Sequence, residues 1–269
     1  MDKRRMCPHC RAFITQSDRV CPYCNEAVGP RAIDRREPGQ ILGGFIPHAR
    51  FTTTIILLIN FGLYIATYVY GNSVGEGQAL VAFGAKQGIL IMRYHQWWRL
   101  VTAGFLHGGI FHILMNSWVL FDLGAQVEEV YGTSRMIVIY FVSTVCGFFF
   151  STMWTTALSV GSSAGIFGLI GAMIALGVMH RSALGDQIRG LYVRWAVYGL
   201  VFGLLPFFAV DNAAHIGGLT GGFVVAYFAG LPKLTDGGRE RLWRFLAVIS
   251  VALIMLAFLE MYLWFSRQA

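Results

Sequence analysis

The sequence contains little charge. Asp, Glu, Lys and Arg make up 13% of its 269 residues, whereas soluble globular domains average about 25%. Hydrophobic residues make up 56% and come in long blocks rather than in short periodic stripes. Because blocks of about 20 apolar residues match the hydrocarbon core of a bilayer, this composition excludes an ordinary soluble globular protein.

Seven apolar blocks predict an all-α polytopic membrane protein. We expect a bundle of six spans with one additional helix at its C-terminal end. The predicted spans are Phe51–Gly71, Leu100–Asp122, Met136–Ala157, Gly161–Met179, Val193–Ala209, Asn212–Leu231 and Leu242–Phe265.

The net charge of +7 follows the predicted topology and does not indicate nucleic-acid binding. All but four of the 21 lysines and arginines lie before the first span or in loops on the same side of the membrane. The exceptions are Lys86, Arg93, Arg99 and Arg267. The positive-inside rule therefore predicts a cytoplasmic N-terminus and an external C-terminus.

Four of the five cysteines form two identical knuckles near the N-terminus, Cys7-Pro8-His9-Cys10 and Cys21-Pro22-Tyr23-Cys24. Four thiolates at this spacing suit a tetrahedral Zn²⁺ ion with no open coordination position, which predicts a structural zinc. The alternative is a set of redox-active or free thiols on a flexible tail. His9 is left out of the ligand set because it breaks the symmetry of the knuckles.

These features divide the chain into four parts. Residues 1–28 form a zinc-ribbon-like cytoplasmic module, and residues 29–50, rich in Pro and Gly, form a linker. Residues 51–231 form the six-span core, and residues 232–269 form a cytoplasmic loop and the seventh span. We expect the zinc module to bind a cytoplasmic protein partner or to regulate the core, because it lies across the membrane from the polar residues described next.

Polar residues inside the predicted spans fall into three short stretches. "HGGIFHILMN" contains His107, His112 and Asn116, "VGSSAGIFGL" contains Ser162 and Ser163, and "DNAAHIGGLTGG" contains His215. The predicted topology puts all three at a similar depth, toward the outer face. Unpaired polar groups are costly in hydrocarbon, so this agreement indicates a functional site.

This set of residues is sufficient for acyl transfer. A His can take the proton of a Ser hydroxyl, and Asn, His and backbone N–H groups can stabilise the oxyanion that follows. His112 and Asn116 share one helix face because they are four residues apart. Small residues would let the fourth and sixth spans pack closely; they are Gly161, Gly165, Gly218 and Gly222.

Each stretch also has a simpler interpretation. The serines could be packing residues, and His215 could line a pore or relay protons. A transporter, however, would show charged residues deep in several spans or an inverted repeat, and the sequence shows neither.

The pattern resembles the rhomboid family of intramembrane serine proteases over residues 51–231. The family's GxSx motif matches Gly161 to Ala164, which implies that Ser163 is the nucleophile, with Ser162 the alternative if the register differs by one residue. The AHxxGxxxG motif implies that His215 is the general base, and the HxxxN pair implies an oxyanion site of His112, Asn116 and the Ser163 backbone. The resemblance also implies structural roles for Trp98, Arg99, His107, Glu128 and Gly132.

The resemblance implies an endopeptidase that cuts transmembrane segments near their outer ends. It would use a Ser–His dyad without a cofactor, within the lipid bilayer. One departure is Ala164, where the family often has Gly. The alternative function is a catalytically silent rhomboid-like protein that binds transmembrane helices without cutting them.

Overall fold

A computed structural model describes residues 4–7, 9–15, 18–28, 51–205, 210–232 and 237–267. The chain divides into two compact units, residues 1–48 and 49–269, which are described separately. The predicted linker, residues 29–50, lies outside the described residues.

The N-terminal unit contains a short antiparallel hairpin of β1, Arg4–Met6, and β2, Phe13–Thr15. Its small core consists of Cys7, Ile14, Cys21 and Val28, with Cys24 packed against it. Three of these five residues are cysteines. So few apolar side chains bury too little surface to stabilise a domain, so this unit needs an additional source of folding free energy.

The described residues of the second unit form helices joined by short loops, with one isolated β-bridge between Lys86 and Ser159. Its helices are α1 Phe51–Val74, α2 Glu76–Ala82, α3 Gly88–Tyr94, α4 Arg99–Thr102, α5 Ile110–Trp154, α6 Ser163–Met179, α7 Ala183–Phe202, α8 Asn212–Ala229 and α9 Gly237–Ser266.

Three helices in the described part of the chain are long and apolar enough to cross a membrane: α1, α5 and α9. Helix α6 is apolar but has only 17 residues. Helix α5 contains two predicted spans, because its backbone leaves helical geometry at Gly132 (φ 77°, ψ 158°). His112 and Phe148, on opposite sides of Gly132, line the same cavity, so the two segments of α5 lie side by side.

Two predicted spans begin at different residues in the structure. The span predicted from Leu100 begins at Ile110, because residues 99–105 form α4 and a buried 3₁₀ turn and Gly109 adopts a positive φ before the long helix. The span predicted from Val193 begins at Ala183, where the Ser182 side chain accepts a hydrogen bond from the Gly185 amide and caps the helix.

Helix α6 lies in the interior of the bundle, packed against α5, α7 and α8. Thirteen of its 17 residues are buried, which is consistent with a helix that is apolar on every face. The N-terminus of α6, where Ser163 lies, is therefore packed among helices.

Glycines allow α6 and α8 to approach backbone to backbone. A Cβ atom at Gly218 would collide with the Ala164 carbonyl, and one at Gly222 would collide with the Gly168 backbone. Such contacts are typical of membrane helices that associate through small residues. They fix the position of α8 relative to the N-terminus of α6.

The buried Glu128 carboxylate caps the N-terminus of α1. It accepts hydrogen bonds from the Thr52 hydroxyl at 2.7 Å, the Thr52 amide at 3.1 Å and the Thr133 hydroxyl at 2.9 Å. A carboxylate at a helix N-terminus satisfies free N–H groups and interacts favourably with the helix dipole. Glu128 therefore joins α1 to the turn at Gly132.

We expect Glu128→Gln to lower the free energy of unfolding by about 2 kcal/mol, because charge-assisted hydrogen bonds to buried groups are weakened. Thermal unfolding in detergent micelles measures the change. Glu129→Gln is the matched control, because Glu129 is exposed and its substitution should leave the midpoint unchanged. Equal shifts for the two variants would contradict the capping role.

A bidentate ion pair joins α9 to α5. The Nη1 and Nη2 atoms of Arg135 each donate to a carboxylate oxygen of Glu240 at 2.7 Å, and the guanidinium also lies over the ring of Trp243 at 5.5 Å. Arg135 is almost fully buried. This contact secures the first turn of α9.

Candidate active site

A cavity of about 860 Å³ lies among α5, α6, α7 and α8. Ser163, His215, His112 and Asn116 all line it, together with many apolar side chains. These four residues come from three helices and span a hundred positions of the sequence. The fold thus collects these four polar residues around one space.

The structure distinguishes the two adjacent serines. Ser163, the first residue of α6, is partly exposed and lines the cavity. Ser162 is fully buried, and its hydroxyl lies 3.2 Å from Nε2 of His107. Ser162 is therefore engaged in the packing, whereas the Ser163 hydroxyl faces the cavity from a helix N-terminus, where backbone N–H groups favour negative charge.

His215 is held beside α6 by an aromatic contact. Its ring stacks on Phe167 with a centroid distance of 4.0 Å and an interplanar angle of 13°. Phe167 is four residues after Ser163, so both lie on the same face of α6. The imidazole is buried, and its Nδ1 atom has no hydrogen-bond partner among the described residues.

Asp211 stabilises the first turn of helix α8. One carboxylate oxygen accepts a hydrogen bond from the Ala214 amide at 3.0 Å, the other accepts one from the Ser151 hydroxyl, and the Asp211 carbonyl accepts one from the His215 amide at 3.1 Å. Asp211 thus fixes the backbone that carries His215.

His112 and Asn116 face the cavity from the first segment of α5. A Cβ atom at Gly161 would lie 2.8 Å from His112 Nε2 and 3.4 Å from Ser163 Oγ, so Gly161 leaves the space between these two side chains open. Its φ of 134° also favours glycine. Asn116 Nδ2 is buried with no partner among the described residues, which leaves a donor available for an incoming oxygen atom.

The arrangement provides the parts that acyl transfer requires: a hydroxyl, an imidazole, and donors beside the hydroxyl. In the described residues, Ser163 and His215 line one cavity without a direct hydrogen bond between them. Catalytic hydrogen bonds are often long in ligand-free enzymes and shorten when substrate binds.

The remaining predicted residues have other neighbours. Gly165 packs against the Tyr140 ring, and the His107 ring lies 5.1 Å from that of His112. Trp98 and Arg99 lie in the segment before α5, and Glu128 and Gly132 lie at the α5 kink. None of these last four lines the cavity.

Sequence analysis missed three residues that support this site: Asp211, Ser151 and Phe167. Asp211 could have been recognised, because an Asp directly before an apolar helix is a standard N-cap signal. Ser151 and Phe167 carry no such local signal, since their roles depend on contacts with α8.

The four cysteines of the N-terminal unit fit a tetrahedral metal ion. Their sulfur atoms all lie within 4.8 Å of one another, and the Cys7–Cys24 and Cys10–Cys21 sulfur pairs are 3.7 and 3.6 Å apart. Zn–S bonds of about 2.3 Å in a tetrahedron separate the sulfurs by about 3.8 Å.

Comparison with known proteins points to one family. A family model described as "Rhomboid domain" matches residues 94–231. The Rhomboid protease GluP of Bacillus subtilis (strain 168) is 35% identical over 204 residues, which cover 75% of this chain and 38% of that protein. Rhomboid-like protease 2 of Toxoplasma gondii is 33% identical over 183 residues, covering 65% of this chain and 64% of that protein.

A third relative is named differently. Inactive RHOMBOID-like protein 8 of Arabidopsis thaliana is 35% identical over 127 residues, which cover 46% of this chain and 36% of that protein. The matched region covers less than two thirds of the length of each of these three relatives. Because they include proteins named as proteases and one named as inactive, similarity alone does not decide whether this chain is active.

Proposed function

Since this chain belongs to the rhomboid family of integral membrane proteins, we propose that it is a serine endopeptidase that cuts transmembrane segments of other proteins. Ser163 is the nucleophile, His215 is the general base, and His112, Asn116 and the Ser163 backbone amide bind the oxyanion. The observation that carries this proposal is the convergence of these four side chains on one cavity.

The first half of the reaction forms an acyl-enzyme. His215 takes the proton of the Ser163 hydroxyl while Oγ attacks the carbonyl carbon of the scissile bond. Negative charge develops on the carbonyl oxygen, and the donors of His112 and Asn116 stabilise it. The C–N bond then breaks, and the imidazolium gives its proton to the leaving amine.

The second half of the reaction releases the acyl group. A water molecule gives one proton to His215 as its oxygen attacks the ester carbon, and a second oxyanion forms at the same donors. The ester bond breaks, and the proton returns from His215 to Ser163 Oγ. The products are two peptides, one with a new carboxyl group and one with a new amino group.

The cavity walls suggest how a substrate reaches the serine. Exposed apolar side chains of α5 and α7 line the cavity on either side, including Phe111, Met115, Tyr198 and Phe202. A transmembrane segment that approaches between α5 and α7 would contact these side chains. Helix-destabilising residues near the cut are expected, because the peptide must be extended to reach Ser163.

Reconstitution tests the proposed activity. The purified protein in liposomes is mixed with single-span test substrates, and the products are mapped by mass spectrometry beside a His215→Ala variant. We expect one main cut near the outer end of each susceptible segment and none with the variant. Binding of substrates without any cutting would contradict the proposal and favour a catalytically silent helix-binding protein, the alternative that the inactive relative raises.

We also propose that the N-terminal cysteines bind one structural Zn²⁺ ion and that residues 1–28 form a cytoplasmic module, which could bind a cytoplasmic protein. The donor set and sulfur spacing support zinc. The distribution of Lys and Arg supports the orientation, which puts the C-terminus outside.

We expect one zinc ion per chain by metal analysis of the intact protein, and loss of that zinc with Cys21→Ser. Because metal binding supplies the folding free energy of so small a unit, zinc removal should also make residues 4–28 sensitive to protease. Cys146→Ser is the matched control, since Cys146 lies in α5, and it should retain the zinc. Full zinc content in Cys21→Ser would contradict the assignment.

A further inference from the structure

Arg99 is a fully buried cation held by neutral groups. Its Nη1 atom donates to the carbonyls of Val81 at 2.8 Å and Ala85 at 3.0 Å, and Nε donates to the Gln96 side chain at 2.6 Å. No carboxylate of the described residues forms an ion pair with it. A buried charge of this kind depends on every dipole and ring around it.

Two indole rings complete the surroundings of this guanidinium. Its central carbon lies 4.4 Å from the ring centroid of Trp98 and 4.8 Å from that of Trp264, and the two rings are 6.1 Å apart. Cation–π attraction is strongest when the cation is desolvated, and Trp is its best partner. Trp264 belongs to α9, beyond residue 231, where the family match ends.

Helix α9 also contacts the segment before α5 through two phenylalanines. Phe258 packs against Phe105 at 5.4 Å, and Phe265 packs against Phe83 at 5.5 Å. Because these phenylalanines are seven residues apart, they lie on one face of α9. Helix α9 therefore lies along residues 83–105.

The same segment holds the loop that precedes the proposed nucleophile. Lys86 and Ser159 exchange two backbone hydrogen bonds, of 3.0 and 2.9 Å, and the Gly161 amide donates to the Ala103 carbonyl at 2.9 Å. Ser159 and Gly161 lie within four residues of Ser163. The loop between α5 and α6 is thus hydrogen-bonded to residues 83–105 at two points, Ser159 and Gly161, just before α6 begins.

Arg99 is connected to the partners of both loop residues, Lys86 and Ala103. It binds the carbonyl of Ala85, the neighbour of Lys86, and it is the first residue of α4, which continues into the 3₁₀ turn that contains Ala103. A shift of Arg99 would therefore be transmitted to both Ser159 and Gly161.

We propose that Trp264 is a positioning residue: through its contact with Arg99, called the clamp below, α9 holds residues 83–105 and, through them, the loop that orients Ser163. This inference rests on the proposed function for its catalytic consequence. Without the clamp, the loop occupies its reactive position in a smaller fraction of molecules, and the rate falls by that fraction.

Three substitutions at one position separate the clamp from simple packing. We expect Trp264→Ala and Trp264→Leu to lower kcat about tenfold, with KM changed by less than about threefold because the cavity walls are untouched. Trp264→Phe keeps an aromatic face and should recover most of the lost rate. Labelling of Ser163 by a fluorophosphonate should slow by the same factor, because it needs no transmembrane substrate.

Tyr262→Ala is the matched control on the same helix, since Tyr262 is exposed, and it should retain the wild-type rate. Amide hydrogen exchange of residues 83–105, measured well below the unfolding midpoint of each variant, reports the clamp directly. We expect faster exchange there in Trp264→Leu and wild-type exchange in Tyr262→Ala.

Two results would overturn the inference: wild-type kcat and exchange in Trp264→Leu, or equal losses in Trp264→Leu and Trp264→Phe. Failure of the proposed function is a different result. In that case the wild-type protein neither cleaves nor labels, and the exchange of residues 83–105 in Trp264→Leu still decides whether the clamp exists.

Discussion

Ser163→Ala is expected to lower kcat by about 10⁴-fold or more, because removal of the proposed nucleophile leaves only transition-state binding by the proposed oxyanion donors. Ser163 is the one of the two adjacent serines that lines the cavity. The measurement is cleavage of a single-span substrate in liposomes, with product quantified over several hours so that a residual rate is detectable. Substrate binding should persist, since the alanine leaves the cavity walls intact.

Ser162→Ala is the matched control for this substitution. It removes the hydroxyl that lies 3.2 Å from His107 Nε2 and leaves a buried imidazole unpaired, so we expect a loss of about 1–3 kcal/mol of stability. Its kcat should fall by less than about tenfold, because the reacting groups remain. Cleavage that survives Ser163→Ala but not Ser162→Ala would move the nucleophile by one residue and refute the assignment.

Gly222→Ala is expected to lower the free energy of unfolding by about 3 kcal/mol or more, the upper range for overpacking a filled interior. The added methyl group would collide with the backbone of Gly168, whose Cα and carbonyl carbon would each lie only 2.5 Å from it. Backbone atoms cannot rotate aside as a flexible side chain can, so α6 and α8 must separate. Thermal unfolding in detergent micelles measures the loss.

The same substitution should also reduce kcat by about 100-fold, because a displacement of about 1 Å between catalytic groups has an effect of this size. His215 lies on α8 and Ser163 on α6, so their separation changes with the helix pair. Gly62→Ala is the control: Gly62 lies inside α1 with open space where its Cβ would be, so stability should stay the same or rise slightly. Equal behaviour of the two variants would contradict the packing argument.

Local sequence patterns predicted much of the fold. Apolar blocks of bilayer length predicted a polytopic helical protein, and the helices lie where those blocks are. The two CxxC pairs predicted a cluster that the structure forms. Two helix starts were misplaced. The start of α5 was missed because a buried short helix such as α4 is as apolar as a span. The start of α7 was missed because its first two turns contain the charged residues Asp186 and Arg189.

The sequence by itself determined which residues are chemically capable: two serines, three intramembrane histidines and an asparagine at predicted membrane depth. Only the tertiary structure decided their positions. It directs Ser162 toward His107 and Ser163 toward the cavity, brings Glu128 to the start of α1, and sets Trp264 against Arg99. These contacts join residues between 55 and 165 positions apart. No local periodicity encodes them, because they depend on how whole helices pack against one another.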